Sequence, residues 1–161
     1  LNQAYRRMEA VLEEEWQERG PVAHITSPAE ALTLASIIEK ETGFEPDRPR
    51  IASVFHNRLA RRMKLQSDPT VIFGLGDTFD GDLTRSHLKT DTLYNTYTRS
   101  GLPPGPICSP GRASIKAALA GSAHGYLYFV AMGEGKSFFS DTLAEHNQAV
   151  NRYQKRRQSN P

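Results

Sequence analysis

The chain has 161 residues, 38% hydrophobic and 24% charged, with 20 Lys and Arg against 18 Asp and Glu. That length and composition exclude global disorder and suit one domain, alone or with a satellite segment, and a net charge of +2 lacks the concentrated positive charge of a dedicated nucleic-acid binder. A single cysteine, Cys108, excludes an intramolecular disulfide framework and a Cys-based zinc cluster, and no apolar run nears the roughly 20 residues that cross a bilayer.

Tyr5, Met8, Leu12 and Trp16 recur at three- and four-residue steps, which predicts a first helix over about residues 2–19, stopped by Gly20-Pro21. No signal peptide and no initiator Met is visible. The chain therefore reads as a piece of a longer protein whose targeting information lies elsewhere. Ser27, Pro28 and Glu30 form a start signal, with cap, first-turn proline and capping box, for a second helix running to about Thr42 and closed by Gly43. A third helix is expected from about residues 47–49 to Met63, with Ile51, Val54, Phe55 and Leu59 as its apolar stripe. Arg58, Arg61, Arg62 and Lys64 gather at its end, where helix dipole and solvent suit cations.

Thr70 to Phe73 is β-branched and aromatic and predicts a short strand. Residues 86–111 are dense in Thr, Asn, Tyr, Pro and Gly; a connection of that length suits an ordered groove wall. Ser109-Pro110-Gly111 is expected to open a helix to about Ala120, with Ser109 as cap. Tyr126 to Met132 and Ser137 to Ser140 read as a hairpin, and a last helix starts near Asp141 before a basic, frayed tail. The arrangement is α+β, several helices around a small β-sheet.

The second helix carries the sharpest anomaly. Ala31, Leu32, Leu34, Ala35, Ile37 and Ile38 make it apolar over a wide arc, yet it ends in Glu39-Lys40-Glu41. At about 100° per residue the two carboxylates fall on opposite flanks of that arc. A carboxyl group against apolar surface has a raised pKa, the state a general acid needs near neutral pH. The pattern leaves open which glutamate is so placed, and whether both simply reach solvent. Gln66, Ser67 and Asp68 form a polar cluster before the expected strand, although Asp68-Pro69 is also an ordinary turn. Tyr94, Asn95 and Tyr97 suit carbohydrate, by stacking and amide hydrogen bonds, and equally suit a loop anchored by tyrosines. His24, His56, His87, His124 and His146 lack metal-ligand spacing, so no metal and no cofactor is expected. Cys108 has no adjacent base and reads as unreactive.

Taken together the segments resemble the YceG-like (MltG) family of endolytic murein transglycosylases. The resemblance rests on Ala35-Ser36-Ile37-Ile38-Glu39-Lys40-Glu41-Thr42, then Ile51-Ala52-Ser53-Val54-Phe55 with Asn57-Arg58-Leu59. It continues through Leu65-Gln66-Ser67-Asp68-Pro69-Thr70-Val71, Tyr94-Asn95-Thr96-Tyr97 and Gly101-Leu102-Pro103-Pro104-Gly105-Pro106-Ile107. Ser109-Pro110-Gly111, Tyr126-Leu127-Tyr128-Phe129-Val130 and His146-Asn147 complete it, over about Glu30 to Tyr153.

The resemblance implies cleavage of the β-1,4 bond between N-acetylmuramic acid and N-acetylglucosamine within peptidoglycan strands, leaving 1,6-anhydro-muramyl ends and terminating nascent strands. It assigns catalysis to the first glutamate of Glu-Lys-Glu-Thr, Glu39. Gln66, Asp68, Asn95, Tyr97, Glu41 and Ser109 are then expected at the substrate, with Glu41 structural or tuning Glu39 as a further role. It also implies peptidoglycan strands as partner, peptidoglycan synthases as further partners, and a full-length protein anchored in the cytoplasmic membrane with this domain outside it. The expected division is residues 1–24 as the end of a preceding region, 25–155 as the catalytic domain and 156–161 as a basic tail. A hydrolytic muramidase, a non-catalytic peptidoglycan-binding module and a nucleic-acid adaptor are the rival readings. The adaptor has the least support, because it lacks both a motif and the charge.

Overall fold

A computed structural model describes residues 1–158, with side chains to residue 154. Seven helices surround one two-stranded antiparallel sheet: α1 (Asn2–Glu18), α2 (Pro28–Glu41), α3 (Arg48–Ala60), α4 (Asp68–Leu75), α5 (Arg85–Lys89), α6 (Arg112–Leu119), β1 (Tyr128–Gly133), β2 (Lys136–Ser140) and α7 (Leu143–Gln158). The fold is thus α+β. Among the described residues no helix is long and apolar enough to cross a membrane.

α2 is the axis of the core. Ala31, Leu34, Ala35, Ile37 and Ile38 are all fully buried, and they meet Ile51 and Phe55 of α3 and Ile115 and Ala118 of α6. Its start follows the sequence signal: the Ser27 hydroxyl accepts from the Glu30 N–H at 3.2 Å, with Pro28 in the first turn. The Glu30 carboxylate reaches one residue further back than a capping box requires and accepts from the Thr26 N–H at 2.7 Å. Ser27→Ala should lower the unfolding free energy by about 1 kcal/mol, measured by urea denaturation. The far end differs from expectation. Thr42 turns extended, and its hydroxyl accepts from the Phe44 N–H at 3.0 Å, so the helix stops without a left-handed Gly43.

α3 ends at Ala60, three residues before the expected Met63. Arg62 is left-handed at φ 56°, and the Met63 and Arg62 amides return to the Arg58 and Leu59 carbonyls at 2.8 and 3.2 Å. This is the Schellman arrangement with arginine in the usual glycine position. The expected strand at Thr70 to Phe73 is instead helical and lies within α4. A four-residue apolar run cannot separate strand from helix, and Pro69 in the first turn favours helix. Thr70 and Val71 are buried by it, while Phe73 stays half exposed against Tyr94, ring centroids 4.7 Å apart.

The hairpin pairs Tyr128 with Ser140 and Val130 with Phe138. It turns through Glu134 and Gly135, both with positive φ, the combination a two-residue turn needs to follow strand twist. Two consecutive residues of α3 hold its approach. The Asn57 amide donates to the His124 and Tyr126 carbonyls at 2.7 and 2.8 Å, and Arg58 Nε donates to the Leu127 carbonyl at 2.7 Å. α1 packs on the same core through Val11, Leu12 and Trp16, and Arg112 of α6 pairs with Glu14 and Glu15. The basic tail expected at 156–161 falls largely outside the described residues.

Candidate active site

The two glutamates at the end of α2 diverge. Glu39 turns to α6, where it accepts from the Ser114 hydroxyl and lies beside Gly111. Glu41 turns the other way, into a cleft of about 400 Å³ that also contains Arg58, Gln66, Asp68, Tyr97, Phe129 and His146. α2 and α4 supply one wall of this cleft, and the hairpin with α7 supplies the other.

Glu41 is partly buried in the wall of this cleft. Burial pushes its pKa up to about 7; a hydrogen bond from the Ser67 hydroxyl at 2.7 Å opposes that rise and the nearby Asp68 charge adds to it. The cause is desolvation of the charged form, so near neutral pH a large share of Glu41 is protonated. Asp68, in the first turn of α4, accepts from the Tyr97 hydroxyl at 2.5 Å. Burial and that hydrogen bond keep Tyr97 well above the usual phenol range, so it is a neutral donor. Gln66 stands beside them with φ 52°, a left-handed conformation uncommon for glutamine.

A buried hydroxyl network holds this wall. The Ser67 N–H donates to the Thr96 hydroxyl at 2.9 Å, Thr70 donates to the Ser67 carbonyl at 2.7 Å, and the two threonine hydroxyls meet at 2.8 Å. Leu-Gln-Ser-Asp-Pro-Thr is therefore a helix start clamped to the Thr96 loop, and not the end of a strand.

Of the expected substrate residues, Gln66, Asp68, Tyr97 and Glu41 converge on the cleft. Asn95 does not. It is fully buried; its amide donates to the Leu88 and Thr90 carbonyls and its oxygen accepts from the Tyr97 and Thr98 N–H groups. All four of its hydrogen-bonding valences are used within the loop, so it shapes the wall without offering substrate a free group. Ser109 also lies elsewhere. It is exposed against Met8 of α1, and Gly111, not Ser109, occupies the N-cap of α6.

Arg58 corrects the expectation of a solvated basic cluster. It is only 7% exposed and bridges α3 to the hairpin and to the Lys64 carbonyl. The signal was in the spacing, since Arg58 follows Val54 and Phe55 by four and three residues and so continues the buried stripe. His146, read as an ordinary histidine, also lines the cleft. His56 is a satisfied core histidine, its Nε2 at 2.8 Å from the Ala118 carbonyl oxygen. The Cys108 thiol donates to the Ser36 carbonyl and is raised by burial, which leaves little thiolate.

Comparison with known proteins gives a consistent set of relatives. Residues 1–152 match the YceG-like family. An endolytic murein transglycosylase of Bacillus subtilis (strain 168) is 48% identical over 122 residues, covering 76% of this chain and 34% of the relative. One from Streptococcus pneumoniae serotype 2 is 36% identical over 126 residues, covering 75% and 23%. A crystal structure of a YceG-like protein from Listeria monocytogenes superimposes with a TM-score of 0.72 at 46% identity, over 84% of this chain and 42% of that one. The chain thus spans about a third or less of the length of the curated relatives it matches.

Proposed function

The chain belongs to the YceG-like family, and from that premise we propose that it is the catalytic domain of an endolytic murein transglycosylase with Glu41 as its acid and base. The observation that carries this reading is one carboxyl group, raised to about 7, in a cleft shared with Gln66, Asp68 and Tyr97. The B. subtilis and S. pneumoniae relatives carry that activity in their names.

The substrate is a glycan strand of alternating N-acetylglucosamine and N-acetylmuramic acid. Protonated Glu41 donates to the glycosidic oxygen as the bond to the muramyl anomeric carbon breaks. The C6 hydroxyl of the same muramyl ring attacks that carbon, and the Glu41 carboxylate takes its proton. Glu41 ends protonated, as it began, and no water is consumed. An intramolecular nucleophile is already positioned, so no second carboxylate has to activate water. Asp68 supports the positive charge that develops on the sugar, and Tyr97 and Gln66 orient the ring. Glu39, held by Ser114 on the other face of α2, has a structural role in this reading.

A hydrolytic muramidase is the second reading, favoured by Asp68 as a carboxylate near Glu41. Uncrosslinked glycan strands incubated with the chain and analysed by mass spectrometry separate the two. Anhydro-muramyl ends support the transglycosylase, reducing ends the hydrolase, and intact strands a binding module.

The pH profile gives a further test. Cleavage needs protonated Glu41, so activity should fall as pH rises through about 7. Ser67→Ala removes the hydrogen bond that holds the Glu41 pKa down and should move this alkaline limb to higher pH. An unchanged limb would separate the titration from Glu41. Murein lies outside the cytoplasmic membrane, and the same reading places the domain there, beside the synthases that make nascent strands and within a membrane-anchored protein.

A further inference from the structure

The cleft also carries groups that the acid–base chemistry does not use. Arg58 is buried to 7% exposure, and no carboxylate lies within 4.0 Å of it among the described residues. Its Nε and Nη1 donate to the Leu127 and Lys64 carbonyls, Nη1 with a longer bond to Gln66, while no hydrogen bond among the described residues engages Nη2. A buried cation without a counter-ion is costly, and the fold keeps this one in the cleft lining. Beside it, His146 lines the same cleft with a buried Nδ1 that has no partner. Tyr128 holds the two together: the guanidinium lies over its ring at 5.1 Å, and the imidazole stacks on it at 5.0 Å and 24°. Desolvation and the Arg58 charge lower the pKa of that imidazole below the usual histidine range.

The cleft therefore carries carboxyl groups together with a guanidinium whose Nη2 is uncommitted and an imidazole whose Nδ1 has no partner among the described residues. The two sugars of murein differ in one substituent: muramic acid carries a lactyl ether at C3, ending in a carboxylate or, where a stem peptide is attached, an amide carbonyl. We propose that Arg58 and His146 form a subsite that reads this lactyl acyl oxygen. The subsite thereby admits the muramyl ring, and not N-acetylglucosamine, to the position where Glu41 acts. Of the two alternating β-1,4 bonds, only the one leaving from muramic acid can then be cut. The carboxylate form binds better than the amide, because a charge-assisted bond to guanidinium is the stronger. This inference rests on the murein reading above.

The test uses the Glu41→Gln chain, which binds without cleaving. Calorimetry compares a tetrasaccharide of alternating N-acetylglucosamine and N-acetylmuramic acid, free at the lactyl carboxyl, with chitotetraose, which has no lactyl group. The muramyl ligand should bind about tenfold tighter or more, the ratio one charge-assisted hydrogen bond supplies. His146→Ala and Arg58→Lys in that background should shrink the ratio and leave chitotetraose affinity unchanged. Arg58→Lys also loses the Leu127 tie, so its fold is checked by circular dichroism. The His146 imidazole makes no hydrogen bond among the described residues, so His146→Ala carries the test independently. Equal affinities for the two ligands, or a ratio untouched by His146→Ala, would overturn the inference. Murein cleavage by the wild-type chain is measured alongside: if it is present while the ligands bind equally, only the subsite fails, and if it is absent, the murein reading fails first.

Discussion

Glu41→Gln should reduce strand cleavage by roughly 10²–10⁴-fold, the range that loss of a general acid–base group produces. Glu39→Gln should leave most of the activity in place. The contrast follows from the divergence at the end of α2, where Glu41 enters the cleft and Glu39 meets Ser114. The reverse result, with Glu39→Gln inactive and Glu41→Gln active, would refute the assignment and return catalysis to the first glutamate.

The same substitution has a stability signature of opposite sign. The folded-state pKa of Glu41 is raised from 4.5 to about 7, so the folded chain holds its proton more tightly than the unfolded chain. The stabilising contribution of that proton is full below about pH 4.5 and is lost as pH rises to about 7, after which it stays flat. Glutamine never ionises. Glu41→Gln should therefore unfold later than wild type at pH 8, by up to roughly 3 kcal/mol, with the gap closing toward pH 4.5. Urea denaturation at the two pH values measures it. A variant inactive yet more stable at pH 8 would show the cleft trading stability for a protonated acid.

Asn95→Ala should cost about 3 kcal/mol or more and also reduce cleavage. The side chain touches no open part of the cleft, yet it satisfies two buried carbonyls and two amides. Removing it leaves those backbone groups unpaired, each at about 1–3 kcal/mol if the loop stays closed. The loop would open to reach water, and Tyr97, whose N–H bonds to Asn95, would leave Asp68. Calorimetric unfolding and strand cleavage together test this. A variant with normal stability and a raised KM would show Asn95 contacting substrate directly.

Elements with a complete local signal were legible. The Ser27-Pro28-Glu30 start and the apolar arc of α2 needed no partner to declare themselves, because cap and periodicity are properties of neighbours in sequence. The hairpin was marked by alternating β-formers around Gly133 and Gly135. Elements whose signal was short were not. Thr70 to Phe73 has strand composition, yet the helix wins because Pro69 fits its first turn and only Thr70 and Val71 need burial. Arg58 looked like a surface cation until its register against Val54 and Phe55 was matched by a hairpin carbonyl within reach.

The amino-acid sequence alone pointed to an α+β domain built on α2 and to two carboxyl groups ending that helix, and the resemblance added Gln66, Asp68, Asn95 and Tyr97 as groups expected at a sugar. Motif order pointed to the family. Tertiary structure alone decided which carboxyl group faces the cleft. Two residues apart on a helix, Glu39 and Glu41 lie about 200° apart around its axis, and both border apolar neighbours. Local pattern is symmetric between them. What breaks the symmetry is packing at long sequence range: Ser114 of α6 meets one, and Ser67 at the head of α4 meets the other at the cleft.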